Sequence, residues 1–96
     1  MKLFRTYQLA KEFYRLSQEL TLNGPLRDQF ERASLSVVLN LAEGSAKPTV
    51  KDRKKFYFIA FGSLREVQTI LDIVNQIELA KRADVLAAHV YRLCHS

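Results

Sequence analysis

Residues 36–44 read SVVLNLAEG, an apolar run that carries a serine and an asparagine one helical turn apart and closes on a glutamate and a glycine. Val37, Val38, Leu41 and Ala42 recur at the spacing of one helix face, with Ser36 and Asn40 set among them. A polar group inside an apolar face needs a partner, because leaving one buried and unpaired costs about 1–3 kcal/mol. The stretch is therefore either the polar pin of a helical core or the start of a binding site. Glu43 lies at the negative end of its own helix, which disfavours a carboxylate. It calls for a compensating partner: the amides opening the next helix, or a nearby lysine. Gly44 reads as a left-handed helix stop.

Outward from this stretch the chain is short. Its 96 residues make one domain, and an apolar share of 48% is enough for a core. Three glycines and two prolines leave few turns and argue for long helices. The single cysteine, Cys94, has no partner for a disulfide, and no segment resembles a signal peptide or reaches the length of a membrane span. A cytoplasmic protein without a membrane role is expected. The net charge of +5 suits nucleic acid, an acidic protein or an anionic surface.

Before the central stretch, a first helix is expected over residues 6–22, with Leu9, Ala10, Phe13, Leu16, Ser17 and Leu20 on one face. Asn23-Gly24-Pro25 is a turn whose proline suits a first helical position, so a second helix runs over residues 25–43. Its inward residues are Leu26, Phe30, Ala33, Val37, Leu41 and Ala42. Thr49 is a good N-cap, with Asp52 three residues on, and opens a third helix over residues 50–77, about 40 Å long. That helix carries a core stripe of Phe56, Ala60, Ser63, Leu64, Val67, Ile70 or Leu71, Val74 and Ile77. Gly62 sits in mid-helix at a cost of about 1 kcal/mol relative to alanine. The expected return is a close helix approach, with Ser63 or Glu66 reaching Asn40 across the core. Asp84 is a candidate cap for a fourth helix over residues 84–95, its inward residues being Leu86, Val90, Leu93 and Cys94. A single continuous helix from 52 to 95 is the alternative.

The chemistry of catalysis is missing from this pattern. No glycine-rich phosphate loop, catalytic triad order or zinc spacing occurs, and His89 and Cys94 point to different sides of a helix. Glu43 and Glu66 read as inner-facing carboxylates. With no nucleophile or metal motif beside them, they belong with Ser36, Asn40 and Ser63 in a structural polar core. The reading is non-enzymatic, with no catalytic residues, cofactor or metal. Lys47, Lys51, Arg53, Lys54 and Lys55, opposed only by Asp52, cluster at a helix start whose amides also favour anions. They make either a phosphate-contacting end for RNA or DNA or simply a solvated helix start. Tyr57, Phe58 and Phe61 widen the apolar surface of the third helix beyond one face. Either that helix is buried on two sides, or these three meet another subunit.

Two segments together carry a family resemblance. ERASLSVVLNLAEGSAK followed by KKFYFIAFGSLREVQTIL resembles the small bacterial four-helix-bundle proteins encoded in intervening sequences of 23S ribosomal RNA genes. The matching positions are Ser36, Asn40, Leu41, Ala42, Glu43 and Gly44, then Phe58, Ile59, Ala60, Gly62, Ser63, Leu64 and Glu66, with Thr69 after them. The chain departs from the pattern at Val38, where many members have proline, and in its C-terminal third, which lacks the usual longer loop and long last helix. The resemblance implies an all-α, antiparallel up-down-up-down bundle that assembles as a homopentamer. It is similar in architecture to the accessory variability protein of diversity-generating retroelements, which binds nucleic acid. It offers no catalytic residues to carry over. The leading expectation is an oligomeric binding protein that contacts RNA or DNA through the basic loop. A protein-protein interaction scaffold is the second.

Overall fold

The computed structural model describes residues 2–96. Its four helices are α1 (Lys2–Ser17), α2 (Gly24–Ser45), α3 (Val50–Ile73) and α4 (Ile77–Cys94). Each packs against its neighbour in sequence, α1 closes the ring against α4, and α2 with α3 makes the most extensive pair. Short connections make successive helices antiparallel. The result is an all-α up-down-up-down bundle measuring 40 × 22 × 18 Å.

The core lies between the helices. Phe13 of α1, Phe30, Val37 and Leu41 of α2, Leu64, Val67 and Leu71 of α3, and Leu86, Val90 and Leu93 of α4 are all buried. Each such side chain contributes about 1.5–3 kcal/mol of transfer free energy. Ile70 and Leu71 are both buried, so the stripe on α3 is wider than either residue alone. Two expected core residues fall outside. On α2 the buried stripe runs from Phe30 through Ala33, Val37 and Leu41 to Gly44, which leaves Ala42 exposed. Ile77 is 60% exposed, because it opens α4 instead of closing α3.

The helix ends differ from the expected boundaries for local reasons. α1 begins earlier, at Lys2, and ends five residues sooner. The Ser17 hydroxyl donates to the Tyr14 carbonyl at 2.7 Å, and the next three amides bond three residues back. Leu20 and Leu22 then pack against the core from the connecting segment. α2 ends through Ala46, whose amide bonds the Glu43 carbonyl at 3.2 Å. Gly44 is not left-handed, since no glycine has a positive φ. At α3 the Thr49 hydroxyl accepts from the Asp52 amide at 3.1 Å, as a cap at that position should.

The continuous-helix alternative fails at Asn75. This residue has φ of 59°, the Gln76 amide bonds the Leu71 carbonyl at 3.0 Å, and the Asn75 amide bonds the Asp72 carbonyl at 3.2 Å. That pair of bonds is a Schellman stop, with asparagine in the place glycine usually takes. α3 ends four residues short of expectation, and α4 starts at Ile77, seven residues before Asp84.

Candidate nucleic-acid interface

The basic residues of the 47–55 segment divide into two groups. Lys47 pairs with Glu43 at 3.1 Å and lies over the Phe56 ring at 5.0 Å. This lysine is the compensation that Glu43 needs at a negative helix end. Arg53 donates to the backbone carbonyls of Lys47 and Pro48 at 2.9 and 3.3 Å, tying the loop to the first turn of α3. Lys47 and Arg53 are therefore loop anchors. Lys51 and Lys55 are exposed and Lys54 is half-buried, and among the described residues none of the three pairs with a carboxylate.

Topology brings further cations to the same end. In an antiparallel bundle the start of α1 and the end of α4 lie beside the α2–α3 loop. A shallow cavity of about 350 Å³ joins them, lined by Leu3, Val50, Arg53, Lys54, Tyr57, Leu93 and Ser96. Arg5 and Arg92 belong to this end as well. Together with burial they hold the His89 imidazole below its ordinary pKa, burial being the larger cause. The basic end thus gathers Arg5, Lys47, Lys51, Arg53, Lys54, Lys55 and Arg92 against Glu43 and Asp52. Elsewhere Lys11, Arg15, Arg27, Arg32, Arg65, Lys81 and Arg82 are matched by Glu12, Glu19, Asp28, Glu31, Glu66, Asp72, Glu78 and Asp84. The excess positive charge therefore sits almost entirely at one end.

The polar residues of the central stretch form a seam between α2 and α3. The Ser36 and Ser63 hydroxyls share a hydrogen bond at 2.8 Å, and the Asn40 amide donates to the Ser36 carbonyl and hydroxyl at 2.9 and 3.0 Å. Asn40 reaches Ser63 only through Ser36. Glu66 instead accepts from Gln29 at 2.7 Å. The seam is half-buried, and Glu43 and Glu66 are exposed, which corrects the expectation of two inner-facing carboxylates. Their long side chains leave the helix pair at its edge, where water solvates them.

Neither glycine has its expected role. A Cβ on Gly44 would meet the Tyr57 ring at 2.7 and 3.0 Å and the Arg53 carbonyl at 3.1 Å, so Gly44 is the close approach. A Cβ on Gly62 would meet none of the described residues within 4 Å beyond its own stretch of helix. Tyr57 is consequently a core residue, 6% exposed, which removes it from the expected subunit surface. Burial raises its hydroxyl pKa, an effect that Arg53 partly offsets.

Phe58 and Phe61 turn toward α4 and meet residues that periodicity alone did not single out. The Phe58 and His95 rings are edge-on with centroids 5.7 Å apart, His95 lies 4.1 Å from Tyr91, and Tyr91 lies 5.9 Å from Phe61. Phe58 is 49% and Tyr91 52% exposed. The i, i+4 spacing of Tyr91 and His95, with Arg92 between them, was the available signal. Exposed apolar residues of a second kind, Leu35, Leu39 and Ile59, flank the α2–α3 seam.

Among the described residues, no group of three or more His, Cys, Asp or Glu gathers to hold a metal, and no helix is long and apolar enough to cross a membrane. Cys94 is buried beside Lys54. Burial raises its thiol pKa more than the lysine lowers it. Among known proteins, the family described as 23S rRNA-intervening sequence protein has a sequence model that matches residues 4–95. No curated protein and no solved structure matches the chain.

Proposed function

Since the chain belongs to the 23S rRNA-intervening sequence protein family, we propose that it is a non-enzymatic, self-associating binding protein of the cytoplasm that contacts RNA or DNA phosphates with its basic end. The observation that carries this reading is the segregation of charge. Cations from α1, the α2–α3 loop, α3 and α4 converge where carboxylates are few, while the rest of the bundle is close to neutral. Lys51, Lys54 and Lys55 are the main contacts, because none of the three has a carboxylate partner among the described residues. Arg5 and Arg92 widen the footprint, and Lys47 and Arg53 hold the loop in shape. The amides opening α3 add a favourable site for a phosphate.

Electrophoretic mobility of duplex and single-stranded nucleic acid across a salt series tests the reading. Phosphate contacts release counterions, so affinity must fall steeply with salt. Replacing Lys51, Lys54 and Lys55 by glutamate abolishes the complex while helicity stays unchanged. Binding that ignores salt, or survives charge reversal, sinks the proposal.

A second reading, a protein-protein interaction scaffold, is favoured by the apolar residues left outside the core. Leu39 is 56% and Ile59 44% exposed, with Leu35 beside them and open space over Gly62. This α2–α3 face is the self-association surface in our reading, and a homopentamer is the assembly that the family resemblance implies. Light scattering at micromolar concentration distinguishes an assembly from a monomer. Leu39→Glu with Ile59→Lys dissociates the assembly if this face builds it.

A further inference from the structure

We propose that the exposed ring cluster of Phe58, Tyr91 and His95 is a stacking platform for unpaired bases, which rests on the phosphate-binding reading and narrows it to single-stranded or looped nucleic acid. The rings form one contiguous group across the α3–α4 seam, each in contact with the next. About half of the Phe58 and Tyr91 surfaces is open, though both residues belong to helices that have a core to fill. A contiguous exposed apolar patch of this kind marks a binding surface more often than single exposed residues do.

The position of the cluster identifies the occupant. Half-buried Lys54 and exposed Lys55 precede Phe58 by one turn on α3, and Arg92 precedes His95, the residue capping α4, by three residues, which is one helical turn. Cations therefore border the rings on both helices. Proteins that hold single strands combine a basic track for the phosphates with aromatic side chains for the bases, and the stacking tolerates any sequence because every base has a π-face. A duplex keeps its base faces stacked inside the helix, so it engages the cations and leaves the rings unused. An apolar peptide or a second copy of the chain would also cover rings, but neither draws on the lysines and arginines around them. The charge pattern selects the polyanion.

Fluorescence anisotropy of the full chain decides the matter, using a labelled uridine oligomer and a duplex with the same number of phosphates. The expected result is tighter binding of the oligomer. Phe58→Ala and Tyr91→Ala should each weaken the oligomer by at least about fivefold, the low end of measured stacking losses, and leave the duplex unchanged. Phe58→Tyr keeps a ring and should retain the affinity, which separates stacking from misfolding. If both alanine variants leave the oligomer unaffected, or weaken oligomer and duplex alike, the stacking platform is refuted while the phosphate reading stands. A wild-type chain that binds neither probe refutes both. Loss of self-association in Phe58→Ala with binding intact assigns the rings to contacts between copies and overturns the proposal.

Discussion

Substituting alanine at the two helical glycines should move stability in opposite directions. At Gly44 the new methyl carbon would sit 2.7 and 3.0 Å from two carbons of the Tyr57 ring and 3.1 Å from the Arg53 carbonyl. Neither obstacle yields easily, since the ring is buried and the carbonyl belongs to the first turns of α3. Overpacking a filled site costs about 1–3 kcal/mol, and contacts this short place Gly44→Ala in the upper part of that range. Alanine recovers about 1 kcal/mol of helix propensity, which leaves a net loss of about 1–2 kcal/mol. Gly62→Ala meets nothing and keeps the propensity gain, about 0.5–1 kcal/mol of stabilisation. Urea denaturation followed by far-ultraviolet circular dichroism measures both, with an unchanged m-value indicating that only stability has moved. In a Tyr57→Leu background, which removes the ring and leaves only the Arg53 carbonyl at 3.1 Å, Gly44→Ala should cost markedly less than in the wild-type chain. A neutral or stabilising Gly44→Ala in the wild-type chain would refute the close-approach argument. A destabilising Gly62→Ala would mean that the self-associating copy seats on Gly62 itself and not only on Leu39 and Ile59.

Ser34 is buried and its hydroxyl has no hydrogen-bond partner among the described residues. Ser34→Ala should therefore stabilise the fold by about 1 kcal/mol in the same denaturation assay. At the α3–α4 turn, Asn75→Ala should cost about 1 kcal/mol or somewhat more, because alanine lacks the short polar side chain with which asparagine tolerates positive φ, whereas Asn75→Gly should be neutral or better. Removing one hydroxyl of the Ser36–Ser63 pair should cost about 1 kcal/mol, and the double alanine variant less than the sum, as a double-mutant cycle would report. The neutral form of His89 is favoured in the folded chain, so the unfolded chain binds its proton first as pH falls. Stability that is complete above about pH 6.5 should decline through and below that value, and His89→Gln should flatten this part of the pH profile.

The sequence made the architecture legible because its strongest signals were periodic. The stripes through Phe30, Val37 and Leu41, through Ala60, Leu64 and Val67, and through Leu86, Val90 and Leu93 face inward as their spacing demands. The α3–α4 boundary was harder to read. A run without glycine or proline offers only Asn75 as a stop, and asparagine tolerates left-handed backbone less conspicuously than glycine. The roles of Gly44 and Gly62 depend on what stands opposite each of them, and one chain's helical pattern carries no information about that. The candidate site was partly visible, since Lys51, Lys54 and Lys55 announce themselves in sequence. Their association with Arg5, Arg92, Tyr91 and His95 depends on which helix ends the topology brings together. Lys47 and Arg53 looked equivalent to their neighbours until their carboxylate, ring and carbonyl partners were located.

The separation of charge along the bundle has a consequence for what net charge means in this protein. The molecule is 40 Å long, and electrostatic influence in physiological salt decays over about 8 Å. The near-neutral end is thus electrically out of reach of the basic one, and its carboxylates do nothing to soften what an anion meets there. An average of +5 describes neither surface. A bulk measurement such as the isoelectric point understates the attraction at one end and overstates it at the other. Substitutions of equal charge made at the two ends should therefore shift the isoelectric point alike while affecting an anionic partner very differently.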